Sequence, residues 1–248
     1  MTTLRVLTLN VAHGRGTGFH QAFTPRRRVE RNLDAVVELI EGLEADVVAL
    51  QELDAESAWS GGFDHLAYLA ERTGLDHSHH GLHVSRARLP QVNYGTGILS
   101  RFPLERGFSF AFDQNPLDTK GFSYAQVRAP GLNLAVVSVH LDFKRRAERR
   151  AQLALMSRLL GGVLSEPDHP VLVAGDFNCA VEGRELGDFA QHHALRALDD
   201  RSPTFPSRRP RRRLDEVLVE GELHTHGEVL DGVHVSDHLP VLAEVRSV

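Results

Sequence analysis

Apolar residues fall along this chain in two rhythms, and the alternation between them lays out the elements. Residues 4–9, LRVLTL, form a short strand-like run that stops at Asn10, before a polar, glycine-rich loop. From 26 to 43, Val29, Leu33, Val36, Val37, Ile40 and Leu43 recur at helical spacing. Residues 46–50, DVVAL, read as a buried strand that delivers Gln51 and Glu52 at its end. Helical spacing returns at 63–73 with Leu66, Leu69 and Ala70. A strand is predicted over 97–100, ended by Arg101-Phe102-Pro103, and a hairpin over 122–128 and 132–140 turns at Ala129-Pro130-Gly131. A second long amphipathic helix covers 145–160, and a strand at 170–174 runs into Gly-Asp-Phe-Asn. A short helix at 184–193 and strands at 214–219 and 241–245 complete the pattern.

There is no repeat, linker or low-complexity tract, and the Arg/Pro-rich stretch at 201–213 is too short to divide the chain. One domain over 1–248 is the expectation, with helices packed outside strands in a layered α/β (α+β) sandwich. Hydrophobic residues make up 42% and charged residues 25%, the balance of an ordinary globular protein. The lone Cys179 excludes a disulfide scaffold and a cysteine-rich zinc site, and reads as packing. The start lacks the apolar length of a signal peptide, and no run approaches the ~20 apolar residues of a spanning helix. A cytoplasmic monomer without stable membrane insertion or obligate protein partner follows as an expectation.

Charge alters this picture through its distribution. The net value is -5, yet 26 of the 28 basic residues are Arg, since Lys120 and Lys144 are the only lysines. Many gather in three segments: Arg26, Arg27, Arg28 and Arg31; Lys144, Arg145, Arg146, Arg149 and Arg150; Arg201, Arg208, Arg209, Arg211, Arg212 and Arg213. Such clusters either meet an anion locally or are solvated helix faces.

Polar residues with chemistry gather at the ends of the apolar runs: Asn10, Glu52, His140, Asp142, Asp176, Asn178 and Asp237. Alone, each also reads as a turn, cap or surface residue. Together they supply hard oxygen ligands for a divalent ion such as magnesium, and His140 and His238 supply groups that donate or exchange protons near neutral pH. Carboxylates, amides and two histidines fit metal-assisted phosphoester hydrolysis.

The motifs TLNVAHG at 8–14, LQE at 50–52, YGTGILSRFP at 94–103, SVHLD at 138–142, GDFN at 175–178, PTFP at 203–206, RLDEVLV at 213–219 and SDHLP at 236–240 resemble, in order and spacing, the endonuclease/exonuclease/phosphatase superfamily. That superfamily includes DNase-type nucleases, abasic-site endonucleases, inositol-phosphate 5-phosphatases, sphingomyelinases and deadenylases. The resemblance implies a four-layer αββα sandwich with the site at one end between two mostly antiparallel sheets. It implies that Asn10 and Glu52 hold Mg²⁺, with Mn²⁺ as a substitute, and that Asp237 lies beside the metal. It implies that Asp176 orients or deprotonates the attacking water, that Asn178 helps place it, that His238 contacts the scissile phosphate and is held by Asp215, and that His140 donates to a phosphate oxygen or the leaving group. The His-Leu-Asp form at 140–142 resembles the DNase, phosphatase and sphingomyelinase branches more than the abasic-site endonucleases. Where the family commonly has an aromatic after the Asp of RLDEVLV, this chain has Glu216, expected to point away from the site. Asp142 reads equally as a partner of His140 or a structural turn.

The resemblance also places Arg212 and the rest of 207–213, Lys144, Arg145 and Arg146, and Arg15 at the rim, as candidates for binding phosphates. The substrate is expected to be phosphorylated, with nucleic acid among the candidates and a nuclease-like phosphodiesterase as the leading activity. The alternatives are a phosphatase or phospholipase acting on a small or lipid head-group substrate, and a catalytically silent binding protein. Net charge and an aromatic content of 6% weigh against broad duplex binding. Phe108, Phe110 and Phe112 are expected on the buried face of a strand, His77, His79, His80 and His83 in a surface loop rather than a zinc site, and Trp59 either in ordinary packing or lining the pocket. The length approaches that of a bare catalytic domain of this superfamily, so specificity is expected to come from the loops.

Overall fold

The computed structural model describes residues 2–20, 24–86, 90–113, 119–164, 169–220 and 223–247. Twelve strands and four helices follow the chain as β1 (Thr3–Asn10), α1 (Arg26–Gly42), β2 (Val47–Asp54), α2 (His65–Thr73), β3 (His77–Arg86), β4 (Val92–Ser100), β5 (Leu104–Ala111), β6 (Gly121–Ala129), β7 (Leu132–His140), α3 (Arg146–Leu164), β8 (Val171–Asp176), α4 (Arg184–His192), β9 (Leu195–Ala197), β10 (Asp215–Glu220), β11 (Leu223–Val229) and β12 (Val241–Ser247). Two six-stranded sheets result, ordered β11-β12-β1-β2-β4-β3 and β5-β6-β7-β8-β10-β9. Only β1–β2 and β7–β8 pair in parallel; the other pairings are antiparallel.

Period-2 alternation decides which layer each side chain enters. Leu4 and Val6 of β1 and Val47 and Ala49 of β2 face the other sheet, where they meet Val136, Leu172, Ala174 and Val217. Their neighbours Leu7, Leu9, Val48 and Leu50 face outward, beneath Val29, Leu33 and Ile40 of α1 and Leu66 and Leu69 of α2. On the far side, Val137, Val139, Val171 and Val173 lie beneath Leu153, Met156 and Leu160 of α3 and Leu186 and Phe189 of α4. The four-layer αββα sandwich is therefore the arrangement that buries both faces of both sheets. Leu33 has no exposure, so its burial alone contributes about 1.5–3 kcal/mol. Helix α1 begins without a side-chain cap, and three arginines oppose its dipole. Arg26 is compensated locally, its guanidinium 2.8 Å from Glu30 and stacked 4.7 Å over the Phe63 ring. Arg26, Arg27 and Arg28 are exposed, so this segment is the solvated helix start.

At one end of the sandwich the core between the sheets turns polar. Gln51 donates to Ser138 at 3.0 Å, Ser138 donates to the Leu50 carbonyl at 2.9 Å, and Thr96 and Ser123 share a hydrogen bond of 2.8 Å. These groups tie the two sheets together by hydrogen bonds between β2 and β7 and between β4 and β6. No helix among the described residues is long and apolar enough to cross a membrane.

Three strands were not expected: β3, β9 and β11. His77–His83 form an edge strand, not a loop, because β3 pairs along its length with β4. Its polar composition conceals the alternation. Phe108 and Phe110 of β5, and Phe112 just beyond its end, behave as anticipated, packed around Phe122.

Candidate active site

Strand register brings the polar strand ends together. His140 lies opposite Asp176 in the β7–β8 pair, and Asp176 opposite Asp215 in the β8–β10 pair. All three occupy positions whose parity points between the sheets, whereas Glu216 points to the outer face. There it is fully buried, 3.0 Å from Arg213. On the other sheet Asn10 lies opposite Gln51. Simple alternation would turn Glu52 toward the helices. A bulge between Gln51 and Leu53, with Glu52 at φ 51°, inserts the extra residue instead. Leu53 joins the outer core and the Glu52 carboxylate is released into the cleft.

Glu52, His140 and Asp176 line a cavity of about 500 Å³, together with Asn178, Asp237 and His238; Asn10 and Asp215 stand behind that lining. A larger depression of about 760 Å³ lies elsewhere, around Arg5, Asp46, Arg101 and Glu244. Its charges are already paired, Arg101 with Asp46 at 3.0 Å and Arg5 with Glu244 at 3.3 Å.

Asp176 sits at the centre of the smaller cavity. Its Oδ2 accepts from Asn10 Nδ2 at 3.0 Å and its Oδ1 from the Asn178 backbone N–H at 3.0 Å. Nε2 of His140 lies 3.5 Å from Oδ2, and Nε2 of His238 lies 3.8 Å from it. Burial, joined by the charge of Asp215, pushes Asp176 up to about 7, against the opposing charge of His238. His238 Nδ1 donates to Asp215 Oδ2 at 2.8 Å, and its ring leans on Phe205 at 4.8 Å between centroids. Burial favours neutral His238, but Asp215, Asp176 and Asp237 outweigh it and raise the imidazole to about 10. His140 behaves oppositely, since burial and the Lys120 charge hold it well below the ordinary histidine value. The cavity thus pairs a cationic imidazole with a neutral one across a single carboxylate.

Asn10 is engaged at both ends, its Oδ1 accepting from the Ala12 N–H at 2.9 Å. Asn178 spends its amide on the Leu141 carbonyl at 2.9 Å. Asp142 is resolved in favour of the turn: Oδ1 accepts from the N–H groups of Lys144 and Arg145 at 2.9 and 2.6 Å. That cap directs both side chains outward. Lys144 lies 4.6 Å from the Phe143 ring and Arg145 pairs with Glu148 at 3.3 Å, and neither lines the cavity as anticipated. Arg212 does line it. Arg15 lines it too but is committed to carboxylates, with Nη2 on Asp237 and Nη1 3.6 Å from Glu52.

Sequence reasoning passed over His13, Asp54, Tyr94 and Lys120. His13 Nδ1 lies 2.7 Å from Asp54 Oδ2, and Trp59 Nε1 donates to Asp54 Oδ1 at 2.8 Å. Burial opposes the charged form of His13, yet Asp54 and Glu52 raise it above its ordinary value. Trp59 therefore lines the pocket and packs with Tyr94, both readings at once. A signal existed for two of these. His13 stands three residues beyond Asn10, and Lys120 precedes Gly121, which lies opposite His140.

The family model described as the Endonuclease/Exonuclease/phosphatase family matches residues 7–238. The chain belongs to that family. Its members are generally hydrolases of phosphoester bonds, and typically depend on a metal. The uncharacterized protein YbhP of Escherichia coli (strain K12) is 29% identical over 263 residues, covering 98% of this chain and 96% of YbhP. Among solved structures, an endonuclease/exonuclease/phosphatase from Beutenbergia cavernae DSM 12333 superposes with a TM-score of 0.77 at 23% identity, covering 100% of this chain and 72% of that one. The mannosyl-6-phosphatase Bt3783 of Bacteroides thetaiotaomicron VPI-5482 gives 0.76 at 15% identity, covering 98% and 99%. Both have the fold described above.

The donor set of this family member suits a hard divalent cation. Glu52 and Asp237 present carboxylates to the cavity, and one guanidinium, Arg15, already spans the two. Burial favours neutral Glu52, but the charges of His13, Lys120 and Arg15 hold its carboxyl well below the usual range, so it stays ionised. A second group, Asp176, Asp215 and His238, places ligand-capable atoms within 4.8 Å of one another. Its histidine nitrogen nearest Asp215 is already occupied by a proton shared with that carboxylate, which makes Glu52 and Asp237 the better oxygen pair.

Proposed function

We propose that this protein is a divalent-metal-dependent phosphoesterase acting on a compact phosphorylated substrate. The observation that carries this reading is the Asp176 carboxylate, fixed by Asn10 and the Asn178 N–H and faced by Nε2 of both His140 and His238. Asp176, raised toward neutrality, is matched to taking a proton from water near neutral pH. Asn178 and Asn10 hold its two oxygens in place for that water. His238, kept cationic by Asp215, faces the negative oxygens of a bound phosphate. Neutral His140 offers its Nε2 hydrogen to a phosphate oxygen or to the leaving oxygen. Glu52 and Asp237 would hold Mg²⁺ or Mn²⁺, which supplies neutralisation of phosphate charge when bound.

The size of the substrate follows from how the basic residues are spent. Arg145 pairs with Glu148, Arg146 and Arg149 with Glu185, Arg201 with Glu182 and Arg213 with Glu216. The basic rim is thereby reduced to the 208–212 arginines and Lys144, on one side of the cavity, rather than a continuous track for a long polyanion. The cavity of about 500 Å³ is instead walled by Trp59, Tyr94, Phe143 and Phe205, with Lys120 and Arg212 as cations. That lining suits one phosphate joined to a small organic group, and the similarity to a mannosyl-6-phosphatase agrees with it. A nuclease-like phosphodiesterase is the second reading, favoured by the exposed Arg208, Arg209 and Arg211 beside Arg212.

The test is a substrate panel with Mg²⁺ or Mn²⁺: sugar phosphates, nucleotides, inositol phosphates, phospholipids, single-stranded and duplex DNA, RNA and bis-p-nitrophenyl phosphate. Turnover of small phosphoesters, abolished by His238→Ala in folded protein, is the expected result. Preferential cleavage of nucleic acid selects the second reading, and full activity in EDTA overturns both.

A further inference from the structure

The Glu52 carboxylate is held between two imidazoles. His140 approaches one oxygen, with Nε2 4.0 Å from Oε1. His13 approaches the other, with Nε2 3.6 Å from Oε2. Behind His13 stands a built support. Its Nδ1 lies 2.7 Å from Asp54, whose side chain is fully buried, and the other Asp54 oxygen accepts from Trp59 Nε1 at 2.8 Å. Trp59 and Tyr94 meet the imidazole edge to face, with centroids 5.4 and 5.0 Å away. The arrangement repeats, on the opposite wall of the cavity, the Asp215–His238 pair.

The backbone is shaped to deliver this histidine. Ala12, His13 and Gly14 have φ of 51°, 54° and 70°, and L side chains adopt that region at a cost. The turn is pinned to α1, because Asn32 Nδ2 donates to the Gly14 carbonyl at 2.8 Å. It also lies so close to that helix that a Cβ on Gly14 would come within 2.7 Å of Val29. Glu52 itself sits at positive φ in its bulge. Two strained segments from different parts of the chain therefore meet at one carboxylate–imidazole contact. At 3.6 Å this contact is ionic rather than a hydrogen bond, so it orients the carboxylate without saturating its oxygens.

We propose that His13, braced by Asp54 and Trp59, is a positioning residue that sets the orientation of Glu52 for divalent-cation binding. This rests on the reading of Glu52 as a metal ligand. Residues behind a ligand are commonly worth about 10–100-fold in metal affinity. Asp54→Asn weakens the brace, His13→Asn removes the imidazole, and Trp59→Phe deletes one N–H while retaining an aromatic ring.

The experiment is calorimetric titration of Mn²⁺ into the substrate-free protein, with folding of each variant followed by circular dichroism and thermal melting. Glu52→Gln is the reference and should lose detectable binding. His13→Asn and Asp54→Asn should bind Mn²⁺ about 10–100-fold more weakly per folded molecule, and Trp59→Phe several-fold more weakly. Should His13→Asn or Asp54→Asn fail to fold, Trp59→Phe decides the matter. Wild-type Mn²⁺ affinity in the folded variants, with Glu52→Gln inactive in binding, overturns the role of His13 and leaves the phosphoesterase reading intact. Wild-type affinity in Glu52→Gln overturns the metal-ligand reading itself, and His13 with it.

Discussion

His140 and Asp176 lie abreast on neighbouring parallel strands, with the imidazole Nε2 3.5 Å from the carboxylate Oδ2. Their spacing is set by backbone register rather than by a loop, so removing the carboxylate's charge need not move the imidazole. Asp176→Asn is expected to lower turnover by about 10²–10⁴-fold, the usual size of a proton-transfer contribution. Circular dichroism should be unchanged. Initial rates on the best panel substrate check this, and an Asn variant within a few-fold of wild type would remove Asp176 from the chemistry.

Asp215 supplies the counter-charge that keeps His238 protonated. In Asp215→Asn the imidazole loses its nearest anion, and its pKa should fall from about 10 toward the ordinary histidine value. The charged form is then lost as pH rises through that lower value, so the alkaline limb of the rate profile should move to lower pH. NMR titration of the His238 ring and a pH–rate profile read the two sides of this expectation. An unmoved ring titration would count against the pairing.

Arg15 occupies the space between Glu52 and Asp237 as their counter-cation. Arg15→Ala should therefore destabilise the metal-free protein, leaving two carboxylates facing one another. Divalent metal should restore much of the loss, and a hundredfold excess over Kd stabilises a folded protein by about 2.7 kcal/mol. Thermal melts in EDTA and in saturating Mn²⁺ test this, and the variant should gain more from metal than wild type does. An equal or smaller gain would show that Arg15 does not neutralise these groups.

His83 is buried against Thr96, with Nε2 2.9 Å from its hydroxyl, and burial, aided by His80 and Lys120, lowers its pKa to about 3. The unfolded chain takes up this proton near the ordinary histidine value of 6.5, whereas the folded protein resists until about 3. Stability is thus complete above 6.5, and is lost progressively as pH falls from there toward 3. By pH 5 the loss from this group is about 2 kcal/mol, at 1.36 kcal/mol per unit. Urea melts at pH 7 and 5 should show it, and His83→Gln should narrow the difference between the two. Burial also lowers His65, His79 and His80, so one substitution removes only one share of the acid sensitivity.

Most of the layered fold was legible because interior strands carry unbroken apolar runs and the helices carry a clear 3.6 period. The β3 and β11 segments escaped because edge strands pair on one side only and tolerate His, Ser and Thr where interior strands need Val or Leu. At the site, residues at strand ends were readable from position alone. The orientation of Glu52 was not, since a bulge reverses the parity that alternation predicts. The ion pair that occupies Arg146 was equally hidden, because Glu185 lies far from it in sequence, whereas the Arg145–Glu148 pair is local. The Arg213–Glu216 pair is local, but a sequence does not reveal that both residues are buried.

The first sheet is left with a gap until late in the chain. Strands β1–β4 form early in sequence and β5–β10 build the second sheet, yet β12, which lies between β1 and β11, comes only at Val241–Ser247. Asp237 and His238 arrive on the segment just before it, and Ser236 donates to the Asn10 carbonyl at 2.6 Å. During synthesis a nascent chain can thus carry Glu52, His140 and Asp176 while still lacking the cationic imidazole. The segment that carries His238 leads directly into β12, so the group that completes the Asp176 neighbourhood belongs to the same stretch of chain that closes the first sheet against β1.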